Sequence, residues 1–141
     1  MATKQLLHPI IEQEMAQTTI LDALLNKVAM LIQLPNNWDG YGAIPPNELI
    51  NKQLSGFVSQ LPERLLQYTT AAEMYATPHG TVVLEFQKGE NELTIEFGER
   101  EYGFFTDFKQ SKNVKIKRTM YKQNHLISNE LAEAINSFYR S

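Results

Sequence analysis

A chain of 141 residues that is 43% hydrophobic and 21% charged has the composition of one ordinary globular domain, not of a disordered tail. Its net charge of -3 supplies no global basic field that would draw the whole protein to nucleic acid or to an anionic membrane. There is no cysteine, which excludes disulfides, a thiolate zinc site, an iron–sulfur cluster and a cysteine nucleophile, and fits a reducing cytoplasm.

The N-terminal residues lack a basic start followed by an unbroken apolar core, which argues against a signal peptide. No apolar run reaches the roughly 20 residues that a membrane helix requires. Residues 1–9 read as a loosely attached start. From about Ile11 to Leu34, apolar residues recur at three- and four-residue steps, the spacing of one helical face. Thr18 and Thr19 mark a weak point, with Thr19 suited to cap a second segment, and Pro35 ends the helix. A turn-rich stretch, Asn36 to Ala43, follows. A second helix is expected from about Pro46 to Leu61, with proline in its first turn, a stripe of Ile50, Leu54, Phe57, Val58 and Leu61, and Pro62 as its stop.

The period then changes to two. Val82, Leu84 and Phe86 alternate with Thr81, Val83 and Glu85; Leu93, Ile95 and Phe97 alternate with Glu92, Thr94 and Glu96. A two-residue turn at Gly89 and Glu90 pairs Leu84 with Ile95 and Phe86 with Leu93, which brings both apolar sets to one side. A turn at Glu99 and Arg100 would set Phe104 opposite Ile95 on a third strand. Val114 and Ile116 suit a further strand, Glu73 to Ala76 a leading one before a Pro78-His79-Gly80 turn, and Ser128 caps a last helix carrying Leu131, Ala134, Ile135 and Phe138. The expected fold is one α+β domain over 1–141: two N-terminal helices, an antiparallel meander of four or five strands, and a C-terminal helix on one face of the sheet.

Three groups of residues invite a functional reading. Trp38, Asp39 and Tyr41 share a loop with Gly40 and Gly42, and two aromatics and a carboxylate on so permissive a backbone suit a ligand or partner grip. The structural alternative carries more weight: Trp38 fills a gap between helices and sheet, Asp39 accepts from turn amides, and the glycines supply positive φ. Leu34 to Ala43, the proline-led helix, Gly80 to Phe86 and Glu92 to Glu96 resemble a group of short, uncharacterised bacterial proteins. These carry an N-W-D-G-Y-G-A loop ahead of a helix and a G-x-V-x-L-E-[WF] hairpin. The resemblance covers about residues 31–97, with Phe86 at a position where tryptophan is expected. It implies a bacterial origin and a shared fold, not a catalytic residue.

The second group is acidic. Glu85 and Glu96 fall diagonally on the outer sheet face, near Phe105 and Asp107, an arrangement that suits a divalent cation or divided acid and base roles. A solvated or partner-covered face explains the same spacing more simply. The third is basic: Lys115, Lys117 and Arg118, within a segment from Lys109 to Lys122, could contact phosphates. No nucleic-acid reader motif accompanies them, and edge lysines beside acidic strands have ordinary structural uses. His8, His79 and His125 show no ligand spacing, and there is no phosphate loop, nucleophile elbow or H-E-x-x-H helix. No catalytic residue, metal ligand or cofactor is therefore assigned. The leading expectation is a cytoplasmic, non-enzymatic interaction or regulatory module, antitoxin-like, whose partner is another bacterial protein and not a membrane. The alternatives are a small-ligand or metal binder using the Trp38–Tyr41 loop or the acidic face, and nucleic-acid binding through Lys109–Lys122.

Overall fold

The computed structural model describes residues 20–110, 115–121 and 127–141. Helix α1 occupies residues 20–31 and buries Leu24, Val28 and Leu31, one heptad-like stripe. Its regular turns stop at Leu31. Gln33 N–H then bonds to the Met30 carbonyl and Leu34 N–H to the Leu31 carbonyl, a tightened last turn before Pro35. The stretch assigned to helix before residue 20, its Thr18–Thr19 break and the loose start at 1–9 lie outside the described residues.

Helix α2, Glu48–Ser59, is capped by Asn47, whose side chain accepts from the Ile50 amide at 3.1 Å. Pro46 therefore precedes the cap and does not open the helix, because only Asn47 brings an acceptor to the orphan amides of the first turn. Ile50, Leu54, Phe57 and Val58 form its buried stripe. Pro62 ends this segment but starts a four-residue helix, α3 (Glu63–Leu66), which adds Leu65 and Leu66 to the core.

Five strands follow in chain order, β1 (Met74–Ala76), β2 (Val82–Lys88), β3 (Asn91–Phe97), β4 (Glu101–Asp107) and β5 (Lys115–Met120), forming one antiparallel meander. The register pairs Leu84 with Ile95, Phe86 with Leu93 and Ile95 with Phe104. Gly89, at φ 61, supplies the positive φ that the first central residue of its two-residue loop requires. Gly98 N–H bonds to the Glu101 carbonyl at 2.8 Å and closes the next turn around Glu99 and Arg100.

One face of the sheet is the inner wall of the core. Val82, Leu84, Phe86, Leu93, Ile95, Phe97, Tyr102 and Phe104 all point into it and are buried with the stripes of α1 and α2. Helix α4, Asn129–Arg140, covers the same side with Leu131, Ala134, Ile135 and Phe138. Ser128 accepts from the Leu131 amide to cap it, while the buried Tyr102 hydroxyl accepts from the Ser128 amide at 3.0 Å. At the other end, Lys88 Nζ donates to the Tyr139 and Ser141 carbonyls, placing a cation against the negative pole of the helix. Phe57 meets Tyr102 and Phe97 with ring centroids 4.5 and 5.4 Å apart, joining α2 to the sheet.

The further strand expected around Ile116 is β5. Its apolar residues, Ile116 and Met120, are 70% and 58% exposed, Ile116 opposite Phe105, whereas the positions that continue the inner row belong to Lys117, opposite Phe104, and Lys115, opposite Thr106. The strand lies at the sheet edge, and its inner parity meets the helices only just past its end, where the Tyr121 ring packs against Phe57 of α2 with centroids 6.1 Å apart. Val114 lies outside the described residues.

Candidate functional site

The opposite face of the sheet carries no helix among the described residues, and its composition follows from the same alternation. Antiparallel pairing aligns Tyr75, Val83, Glu96, Gly103 and Arg118 in one row across all five strands. The adjacent row holds Glu85, Thr94, Phe105 and Ile116. Val83 is only 7% exposed although it stands on this outer side, enclosed by the larger side chains around it.

Two hydroxyls fix the carboxylates. The Tyr75 phenol donates to Glu85 Oε1 at 2.6 Å, and Thr81 Oγ1 donates to Glu96 Oε2 at 2.7 Å while sharing a 2.6 Å contact with Thr77 Oγ1. The bond to Glu85, partial burial and the nearby charges of Glu85, Glu96 and Glu73 push the Tyr75 phenol up to about 12. Glu85 and Glu96 thus have fixed orientations across the 83–85 step. Asp107 does not join them: it is exposed and pairs with Glu92 one row further on. No group of three or more His, Asp or Glu side chains among the described residues is placed to hold a metal ion.

A groove of about 380 Å³ crosses this face, with Thr94, Glu96, Gly103, Phe105, Ile116 and Arg118 in its walls. Gly103 gives it depth. A Cβ at that position would meet Arg118 Cγ at 3.0 Å and the Lys117 carbonyl at 3.1 Å, so the close approach of β5 favours glycine there, and any side chain would make a neighbour shift by a few tenths of an ångström. Arg118 reaches toward Glu101 at 4.0 Å, an exposed ion pair of small energetic weight.

The basic residues do not form one patch. Lys115 and Lys117 stand on the inner-face parity of β5 and Arg118 on the outer, so the strand divides them between its two sides. Lys109 forms an ion pair with Glu90 in the neighbouring hairpin turn. Lys112 and Lys122 lie outside the described residues.

The Trp38–Tyr41 loop is built from internal hydrogen bonds. Asp39 Oδ1 accepts from the Tyr41 amide at 2.8 Å and the Ala43 amide at 3.1 Å, and Asn37 Oδ1 accepts from the Gly42 amide at 2.6 Å. Asn37, Gly40 and Gly42 all have positive φ (61, 79 and 85°), the backbone these side-chain bonds close around. Trp38 is half-buried, with its indole N–H enclosed and without a hydrogen-bond partner, and it stands apart from the main core cluster. Tyr41 is 93% exposed. Ile44 anchors the loop to the following turn through its amide, which donates to the Pro78 carbonyl at 2.9 Å.

Sequence reasoning missed Tyr75, Thr94, Gly103 and Ile116 as members of one surface. The alternation of β2 and β3 already implied Thr94, and the expected Phe104–Ile95 register implied Gly103; Tyr75 and Ile116 require the pairing of β1 and β5, which no local signal gives. Neither a protein-family model, nor a curated protein, nor a solved structure matches the chain.

Proposed function

We propose that this chain is a non-enzymatic protein–protein interaction module, antitoxin-like in acting by binding, and that the outer face of its sheet is the contact surface. The observation that carries this reading is the side-chain mixture on a face without a helical cover among the described residues. Tyr75, Ile116 and Met120 are 42%, 70% and 58% exposed there, beside Phe105 and the oriented charges of Glu85, Glu96 and Arg118. Aromatic residues, methionine and arginine are the types enriched where proteins meet, and a clustered apolar surface rimmed by charge marks such contacts. The resemblance to short bacterial proteins makes another bacterial protein the natural partner.

The alternatives have less support. Asp39 is committed to the backbone amides of its own loop, which leaves Tyr41 as the one fully presented side chain of that trio. The division of Lys115 and Lys117 from Arg118 weakens a continuous phosphate track.

The test is co-isolation from the host cell of tagged wild-type protein and of the outer-face variants Phe105→Glu and Ile116→Glu. A charge at the centre of the surface is expected to abolish a complex that the control Lys52→Glu, on the exposed side of α2, retains. Wild-type protein that isolates alone, or a complex indifferent to both outer-face variants, overturns the reading.

A further inference from the structure

We infer that the β5 edge receives an acidic, extended segment of the partner, which adds to the sheet as a sixth strand; this deepens, and rests on, the interaction-module reading. The sheet order places β5 at one end, and no described residue pairs with its far side. The phase of its backbone is fixed from within. The Tyr121 amide donates to the Arg100 carbonyl at 3.1 Å, and the Lys115 amide turns the same way to Thr106 Oγ1 at 3.3 Å. In an antiparallel ladder hydrogen-bonded and non-bonded positions alternate, so residues 115, 117, 119 and 121 bond toward β4. The N–H and C=O groups of Ile116, Arg118 and Met120 are therefore aimed outward, the arrangement that strand addition uses.

The other end of the sheet offers much less. Strand β1 is three residues long, whereas β5 has six. Lysines commonly guard such edges, and Lys115 and Lys117 do so here against apolar strands. A second copy is disfavoured as well, since antiparallel self-pairing centred on the outward-facing Arg118 would set that guanidinium against its own copy. A purely protective edge would not, however, present exposed Ile116 and Met120 beside Arg118 on its outer side. These three line two adjoining grooves, of about 380 and 810 Å³, that share His79, Thr81, Gly98 and Glu101. The complementary strand is thus specified on both sides: carboxylates opposite Lys115, Lys117 and Arg118, and aliphatic side chains opposite Ile116 and Met120.

A capped, fluorescent peptide containing Val-Thr-Glu-Glu-Val-Glu matches that pattern in antiparallel register. Its binding to the full chain is read by fluorescence anisotropy, with amide exchange at residues 116, 118 and 120 as the local readout. Replacing its glutamates by lysine, or N-methylating alternate amides, is expected to weaken binding about tenfold or more. Ile116→Pro, which removes an outward donor, should bind more weakly than Ile116→Ala, which loses the same apolar contact but keeps the N–H. Equal binding of the lysine peptide, indifference to N-methylation, no peptide binding at all, or self-association abolished by Ile116→Pro would each overturn the inference. The host-cell complex separates this failure from that of the broader reading: lost in Phe105→Glu but equal in Ile116→Pro and Ile116→Ala, it would leave the outer face as the contact surface and remove strand addition.

Discussion

The two faces of this sheet are made by alternate residues of the same strands, yet they differ in what a side chain must satisfy. On the inner face Leu84, Ile95 and Phe104 follow one another across three strands and are almost wholly removed from water. Each is held by its neighbours and by the helical layer, and the only chemistry required is apolar volume that fills the space. On the outer face the corresponding residues are Glu85, Thr94, Phe105 and Ile116. No fixed volume must be filled there, so hydroxyl–carboxylate bonds, exposed apolar groups and a glycine-made groove coexist. Burial is concentrated on one side of the sheet and exposed, chemically mixed side chains on the other, and substitutions should separate the two.

The largest separation is expected at the centre. Leu84→Ala or Ile95→Ala deletes methyl groups from fully buried positions and should lower stability by about 2–5 kcal/mol. Thr94→Ala, one residue away on the outer side, should change it by no more than about 0.5 kcal/mol. Urea unfolding of the three variants checks this, and similar midpoints for all three would contradict the division. Gly103→Ala should fall between them. It lies on the outer face, but its new Cβ must displace either the Arg118 side chain or the Lys117 backbone. An overpacking cost of about 1–3 kcal/mol is expected to outweigh any gain in strand propensity. Unchanged stability would show that β5 moves freely on β4, and would remove the reason for the groove's shape.

Legibility in the sequence follows the same division. The β2–β3–β4 register was readable because two-residue turns fix parity: once Gly89 and Glu90 form the loop, every inward residue of both strands is determined. The caps Ser128 and Asn47 show the contrast between helices. Ser128 stands directly before an apolar period, whereas Asn47 was masked by the helix-starting preference of Pro46. Helix α3 is too short to display any period. Strand β5 is legible as a strand around Ile116, but its facing is not, because the long connection from Asp107 leaves parity free. On the outer surface Phe105 and the carboxylates Glu85 and Glu96 were legible as neighbours, but what holds those two carboxylates was not. Their hydroxyl partners come from elsewhere in the fold: Tyr75 from β1, and Thr81 from the turn before β2, whose bond to Glu96 depends on the β2–β3 pairing.

The smallest expected effect is also the most specific to the outer face. Folding raises the Tyr75 phenol from 10.0 to about 12, because the protonated hydroxyl donates to Glu85 and ionisation would set a phenolate against that carboxylate. A group whose folded pKa lies above its unfolded value favours the native state fully below the unfolded value and loses that contribution as pH rises through the folded one. The stabilisation from Tyr75 is therefore intact below pH 10 and fades toward pH 12. Tyr75→Phe should cost little at neutral pH, since the pair is exposed, and the variant should lose less stability than wild type across that alkaline interval. Burial also raises the Tyr121 and Tyr139 phenols, so part of the alkaline loss should persist in both proteins, and the difference between the two curves isolates Tyr75. Chemical unfolding at successive pH values, with phenolate absorbance followed in parallel, measures that difference. Parallel curves would mean that the Tyr75–Glu85 bond does not orient the carboxylate in solution, and would remove one of the two fixed charges from the surface proposed as the contact face.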